Sequence, residues 1–301
     1  RRYVSVPKFR GSGMESGAHS LKISKSGITV SPKLKSHKKA HDLSFESLSS
    51  GVPEVDELLE GGIERGTVTT LSGPTGVGKT TLGTQFMKEA AGRGDRSVIY
   101  MFEEARETFI TRSKNVNLPV AQMIDGHTLA VEEVPPFKFS PDQFAAQIKR
   151  DVEENDTQLV MIDGIDGYRN SLQTAGDNVL EELHALGRYL RDNGVTLILI
   201  DTTDEVTGEF RATESGISYI ADNIVFLRYL ELDGELRKAI GVLKKRMSDY
   251  ERHLREFAIT RHGIKVGEPL RGLRGILQGT PDLVNHNESE ERGDRSGEKR
   301  L

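Results

Sequence analysis

The run "GPTGVGKT", Gly73 to Thr80, has a spacing that does chemistry. It fits G-x-x-x-x-G-K-[ST], and it lies between an apolar run and a helical pattern, which is the context such a loop needs. Glycines let successive backbone N–H groups turn inward around phosphate, and the helix behind aims its positive end at the same anion. On this reading Gly73, Thr75, Gly76, Val77 and Gly78 cradle ATP, with Thr81 following on the first helical turn. Lys79 reaches the β- and γ-phosphates and the Thr80 hydroxyl binds Mg²⁺. Asp163 ends the strand-like run "LVMID", at the carboxyl edge where open α/β sheets bind ligands, and is expected to serve Mg²⁺ from just outside its direct ligands. Glu103 and Glu104 end "VIYMF" in the same way. One of them is expected to polarise the attacking water while its neighbour orients it or meets the metal, and Glu103 joins Thr80 and Asp163 in the expected metal set. A plainer role, capping the helix "ARETFITR" through its dipole, weighs less beside a P-loop.

These residues need a frame, and the chain supplies alternating strands and helices. "GTVTTLSG" (66–73) leads into a helix from Thr80 to Ala91, closed by Gly92, and "SVIYMF" (97–102) is a second buried strand. "SPDQFAAQIKRDVEEN" (140–155) opens with Ser140, Pro141 and Gln143, a capping box with proline at the first helical position. "QLVMID" (158–163), a helix bearing Val179, Leu180, Leu183, Leu186 and Leu190, and "VTLILID" (195–201) continue the pattern. Short apolar strands separated by amphipathic helices predict a parallel sheet covered on both faces, hence an α/β, RecA-like P-loop fold. From 217 to 266 the pattern turns β-rich, with Asp233-Gly234 as a hairpin signal, so a C-terminal meander should extend the sheet edge and Ser218 should begin a strand.

The chain also repeats itself. Pairing residue 8 with residue 244 sets a constant offset of 236, and over residues 6–30 nine positions are then identical without a gap. They are Val6/Val242, Lys8/Lys244, Arg10/Arg246, Ser12/Ser248, Glu15/Glu251, Ile23/Ile259, Gly27/Gly263, Ile28/Ile264 and Val30/Val266. The period is that of a whole domain and not of a solenoid unit. We therefore read residues 1–32 as the end of an upstream copy, 33–44 as a lysine-rich linker, 45–281 as the ATPase domain and 282–301 as a polar, disordered tail. The parent reading frame should carry another P-loop about 236 residues before Lys79, a repeat length of the kind internal self-similarity reveals.

At 301 residues and net charge −5, the chain shows no overall basic footprint for nucleic acid. It has no cysteine, which excludes disulfides and thiolate chemistry and agrees with a cytoplasmic protein. Its apolar runs are far shorter than the roughly 18–20 residues of a membrane span.

The segments "SGVPEVDELLEGGIERGTVTTLSGPTGVGKTT", "FEEAR", "QLVMIDGIDGY", "KKR" and "LRGILQGTP" resemble the KaiC family of RecA-like ATPases, and the likeness runs from Ser44 to Pro281. The resemblance implies tandem domains, a homohexameric ring with ATP between protomers, and regulatory protein partners. It implies that the segment Lys244, Lys245 and Arg246 meets the γ-phosphate of a neighbouring subunit's ATP, with Arg246 catalytic alongside Lys79, Glu103 and Glu104; the twins Lys8 and Arg10 would serve the first ring. It implies Ser/Thr autokinase activity, with Ser218 and Thr213 as candidate acceptors. This chain departs from the family where "MSDY" (247–250) replaces a Gly-Ser-Trp-His segment, and where Ser218-Tyr219 replaces the adjacent Ser-Thr pair of the clock members. An ordered two-site cycle is therefore not expected, although Asp222 is retained. Two other readings compete. A RecA- or DnaB-like DNA motor should show basic or aromatic pore loops, but "DTTDEVTGEF" (201–210) is acidic with one aromatic. A non-hydrolysing nucleotide-gated scaffold has no use for Glu103 and Glu104.

Overall fold

The structure is a computed structural model; it describes residues 2–14, 17–25, 27–32, 34, 46–136, 139–172, 179–203, 216–232, 234–271, 273–274 and 282–283. At the N-terminal end β1 (Arg2–Val4), β2 (His19–Ser24) and β3 (Gly27–Ser31) form an antiparallel sheet of their own. The ATPase body opens with a two-residue ladder of β4 (Ser47–Leu48) and β5 (Ile63–Glu64) around α1 (Pro53–Leu58). Then follow β6 (Val68–Gly73), α2 (Lys79–Gly92), β7 (Arg96–Met101), α3 (Arg106–Asn115), α4 (Val120–Asp125) and β8 (Leu129–Glu133). Next come α5 (Pro141–Asn155), β9 (Thr157–Asp163), α6 (Ile165–Leu172), α7 (Val179–Asp192), β10 (Thr196–Thr202) and α8 (Ile217–Ile220). The hairpins β11 (Asn223–Leu232), β12 (Glu235–Lys245), β13 (Arg255–Thr260) and β14 (Gly263–Pro269) close the body.

One nine-stranded sheet, ordered β14-β13-β12-β11-β6-β10-β9-β7-β8, holds the body together. From β11 to β8 neighbours run parallel, and β12 to β14 add the antiparallel meander. Alternation along β9 shows why the strands read as unbroken apolar runs. Leu159 and Met161 enter the core under α2, α3 and α4, whereas Val160 and Ile162 enter the opposite core under α5, α6 and α7. Both faces of each parallel strand are buried, so both must be apolar. The capping box of α5 is present, with the Ser140 hydroxyl and the Gln143 side chain bonding reciprocally.

Residues 217–220 depart from the strand expectation. They form the single turn α8, entered through Gly216 at φ 101°. Ile217 and Ile220 are both buried in the α7 core, and a spacing of three puts them on one face only in a helical turn. Ser218 therefore sits on an exposed helical turn and the strand begins at Asn223.

The repeat has a geometric counterpart. In β2–β3, Ile23 pairs with Ile28 and Leu21 with Val30; 236 residues later Ile259 pairs with Ile264 and Phe257 with Val266. Tyr3 opposite Ser20 likewise matches Ala239 opposite Glu256. The surroundings differ: Ile28 is 67 % exposed and Ile23 53 %, while Phe257 and Val266 are buried against the ATPase body. The N-terminal sheet rests instead on α5, where Ser20 donates to Asp142 from both its N–H (3.2 Å) and its hydroxyl (2.6 Å). Of the expected linker only Leu34 is described, and of the expected tail only Asp282 and Leu283, which pair with Leu273–Arg274. Asp233 of the expected hairpin turn lies outside the described residues; Leu232 and Glu235, which flank the turn, do pair.

Candidate active site

Strand register aligns the chemistry along one edge. Gly73 at the end of β6 lies opposite Thr202, and Asp163 at the end of β9 lies opposite Ile200 and Met101. The P-loop, Asp163 and the Glu103-Glu104 pair thus emerge side by side at the carboxyl edge. Two glycines of the loop are demanded by close approach: a Cβ at Gly73 would lie 2.2 Å from the Leu227 carbonyl, and one at Gly78 would lie 2.4 Å from the Ile259 side chain. Both also have positive φ, 149° and 121°. Gly78 is the N-cap of α2 and supplies no side-chain cap, so the first N–H groups of the helix face the loop. Val77 anchors the loop in the core, and Thr75 and Gly76 are exposed at its tip.

Lys79 is buried, and its ammonium donates to the loop's own carbonyls at Gly73 (2.6 Å) and Pro74 (2.9 Å). Burial pulls its pKa down to about 8, against the opposing pull of Asp163, Asp201, Glu103 and Asp166, so the group stays mainly charged near pH 7. The Thr80 hydroxyl donates to Asp163 Oδ1 at 3.0 Å. Burial pushes Asp163 up to about 6, while that hydrogen bond and the Arg112 charge hold it down. Thr80 and Asp163 together present hard oxygen donors, the set that Mg²⁺ takes when phosphates complete its shell, and the residues present fit that ion.

The two glutamates are treated differently. Glu104 is held by Arg112 through two bonds, Nε to Oε1 at 3.0 Å and Nη2 to Oε2 at 2.7 Å. Glu103 is exposed and its carboxylate lies against Gly164, close enough that a Cβ there would be 3.1 Å from Oε1. Thr81, on the first turn of α2, accepts from Arg112 Nη1 at 3.3 Å.

Lys244 and Arg246 are not brought to this edge. Because β12 runs antiparallel to β11, Lys238 pairs with Tyr229 at the P-loop end while Lys244 pairs with Ile224 at the other. The six residue steps from Lys238 to Lys244 span about 20 Å of strand. Lys244 donates to the Ser218 (2.8 Å) and Ala221 (2.7 Å) carbonyls around α8. Arg246 meets the Tyr219 carbonyl (3.4 Å) and Asp222 Oδ1 (3.4 Å). Asp222 in turn accepts from the Val68 N–H (3.0 Å) and from Arg191 (2.5 Å). Ser218 shares this second edge. Thr213 lies outside the described residues.

Lys245 is set apart from Lys244 and Arg246. Strand alternation turns it away from its two neighbours, into the body, where it pairs with buried Glu64 at 3.1 Å and donates to the Leu59 carbonyl. Its ammonium is taken up in this buried ion pair, away from the exposed edge that carries Lys244 and Arg246. Glu64 also accepts from Ser248 and Asn223, so Lys245→Met strands a buried carboxylate. We expect a loss of about 3–5 kcal/mol, the cost of breaking a buried pair from one side. An unshifted urea midpoint would show the pair to be dispensable.

Four residues of the P-loop neighbourhood went unmarked in the sequence. Asp201 is fully buried near the end of β10 and acts on the Lys79 charge; "LILID" ends in aspartate just as "LVMID" does, so a signal existed. Tyr229 and Lys238 hold the loop tip from the meander, donating to the Thr75 (3.4 Å) and Gly76 (3.1 Å) carbonyls. Their approach depends on the order of strands in space, which no local pattern reveals. Arg112 had no signal either.

Comparison with known proteins agrees with this arrangement. A family model described as "ATPase: KaiC" matches residues 48–271. The "Circadian clock protein KaiC3" of Synechocystis is 29 % identical over 295 residues, covering 96 % of this chain and 57 % of that protein. The "Circadian clock oscillator protein KaiC" of Acaryochloris marina is 28 % identical over 289 residues, covering 96 % of this chain and 55 % of that one. The chain thus spans about half the length of the curated relatives it matches. With a P-loop, an aspartate and an acidic pair on one edge of a RecA-like sheet, and a family match across most of its length, the chain belongs to the KaiC family of ATPases.

Proposed function

We propose that the chain is a KaiC-type ATP-hydrolysing ring protein, six chains closing a ring with each nucleotide held between two of them. The observation that carries this is the separation of the two halves of the site. The P-loop edge and the Lys244-Arg246 edge lie about 20 Å apart on one sheet at the usual strand rise, so a chain cannot close its own Arg246 over its own P-loop. Head-to-tail contact joins the two edges of different chains, and repeating it generates a ring. In the assembled site Lys79 and the loop N–H groups bind the β- and γ-phosphates. Glu103 and Glu104 supply the carboxylates for the attacking water, and Arg246 from the neighbour stabilises charge on the transferred phosphoryl group. Thr80 and Asp163, with Glu103 nearby, would hold Mg²⁺, which neutralises phosphate charge when bound. With ATP and Mg²⁺, native mass measurement is expected to show the chain shifting from smaller species to a hexamer as phosphate release begins. A monomer hydrolysing ATP at a rate per chain that does not change with dilution would overturn the ring.

The relatives are named as circadian clock proteins, which favours a regulatory output read by protein partners in the cytoplasm over work on nucleic acid. Residues 1–32 we assign to the end of an upstream copy of the domain. The matched register of β1–β3 and β12–β14 supports this, and so does the open apolar face of Ile23, Ile28 and Val30, whose twins cover an ATPase body. Autophosphorylation is proposed at Ser218. Its exposed position beside Lys244, on the edge that would meet a neighbour's ATP, supports the assignment, since phosphoryl transfer asks chiefly for placement. Mass spectrometry after long incubation with ATP and Mg²⁺ is expected to find phosphate on Ser218 or Thr213, and none in a Lys79→Ala control. Clean spectra at both sites would leave an ATPase without kinase activity.

A further inference from the structure

We propose that Arg112 is a positioning residue that divides the labour of the two glutamates: it clamps Glu104 to the P-loop helix and leaves Glu103 as the carboxylate that meets the attacking water. The inference rests on the hydrolytic reading above and sharpens it. Adjacent in sequence, Glu103 and Glu104 offer the same functional group at the same strand end, and only their surroundings separate them.

The Arg112 guanidinium spends every side of its planar fork. Nε and Nη2 take the two Glu104 oxygens at 3.0 and 2.7 Å, and Nη1 takes the Thr81 hydroxyl at 3.3 Å. The clamp is itself held in place, since the guanidinium carbon lies 5.7 Å from the ring centroid of Phe109, one turn earlier on α3 and fully buried. Three segments thereby become one unit: the loop after β7 through Glu104, α3 through Arg112, and the first turn of α2 through Thr81. Thr81 directly follows Thr80, whose hydroxyl bonds Asp163, so the clamp also fixes the side of the site where the metal would lie.

For Glu104 to accept a proton or turn toward water, this two-point pair has to break, and a charge-assisted pair of that geometry is among the stronger polar contacts in proteins. Glu103 carries no such obligation. It has no hydrogen bond or ion pair to another described residue, is exposed, and rests against Gly164 next to Asp163, near enough for its charge to act on both Lys79 and Asp163. A lysine at 112 keeps the charge but cannot form the planar two-point contact.

The test measures phosphate release at saturating and limiting ATP, the Kd for N-methylanthraniloyl-ADP, and the melting temperature of the nucleotide-free chain. Glu103→Gln is expected to cut turnover about 10²–10⁴-fold with the ATP KM little moved, the scale of a lost general base. Arg112→Ala and Glu104→Gln are each expected to cost about 10- to 100-fold, the scale of a small misplacement at the reacting centre. Because Arg112 acts through Glu104, the double variant should be no slower than the slower single one. Arg112→Lys should recover part of the turnover. In all of these the ADP Kd should stay within about threefold, well under the tenfold that 1.4 kcal/mol represents. Glu104→Gln falling as far as Glu103→Gln, or losses from Arg112→Ala and Glu104→Gln that multiply, would overturn the assignment. So would losses in Arg112→Ala that merely follow its ADP Kd and melting temperature. A wild-type chain that binds the ADP probe and releases no phosphate from ATP would overturn the hydrolytic reading itself, and this proposal with it.

Discussion

Replacing Arg246 with Ala is expected to lower phosphate release about 10³–10⁵-fold, the range of an arginine supplied in trans to a phosphoryl-transfer site. Mixing that chain with a Lys79→Ala chain should then restore part of the activity. The reason is the strand register. Arg246 follows β12 at the end where Lys244 pairs with Ile224, whereas the P-loop meets β12 at Lys238, about 20 Å along the strand at the usual rise. A side chain cannot cover that distance within its own subunit. In a mixed ring, an Arg246→Ala chain keeps its P-loop and a Lys79→Ala chain keeps its arginine, so the interface that joins those two halves is whole. Arg246 is held by Asp222 and the Tyr219 carbonyl through contacts of 3.4 Å, long enough to exchange for a phosphate oxygen. Rings shown to be mixed and still inactive at every ratio would place Arg246 outside the reaction.

How far the sequence carried the structure depends on how local each feature is. The P-loop and Asp163 could be found because each is a contiguous string whose geometry follows from the string, and the sheet class because strands buried on both faces must be apolar throughout. The acidic pair was found but not resolved, since what separates Glu103 from Glu104 is Arg112, eight residues after Glu104 and on another element. A three-residue motif says nothing about pleat, so Lys245 is indistinguishable from its neighbours in the sequence; alternation sends the middle residue to Glu64 and the outer two to the edge. "ISYI" is rich in β-formers and by itself reads as strand, yet the α7 core requires Ile217 and Ile220 on the same side, which a helical turn supplies. Tyr229 and Lys238 came from the register of a hairpin, which only the assembled sheet defines. Local strings were legible, and contacts made across strand order were not.

Lys79→Met should separate binding from folding at the centre of the site. The ammonium is buried, donates to the Gly73 and Pro74 carbonyls, and is surrounded by Asp163, Asp201, Glu103 and Asp166. With the lysine gone, a triphosphate would approach carboxylates with no buried cation between them. Truncating one side of a buried charge pair costs about 2–5 kcal/mol, so nucleotide affinity should fall about 30- to several-thousand-fold at 1.4 kcal/mol per tenfold. In the nucleotide-free chain two effects oppose each other. Burial lowers the Lys79 pKa from 10.5 to about 8, so between these values and below them the charged lysine is less favourable in the folded chain than in the unfolded one. The deficit is complete below pH 8 and vanishes above pH 10.5. Methionine removes that deficit but also the two donations to the loop carbonyls and the cation among the carboxylates, so the melting temperature without nucleotide reads the balance of the two, while the rise in melting temperature that ATP confers on the parent should be lost. Calorimetric scans with and without ATP read both effects at once. A variant that melts well below the parent in the absence of nucleotide would show that Lys79 holds the loop together, and its loss of binding would then say nothing about phosphate.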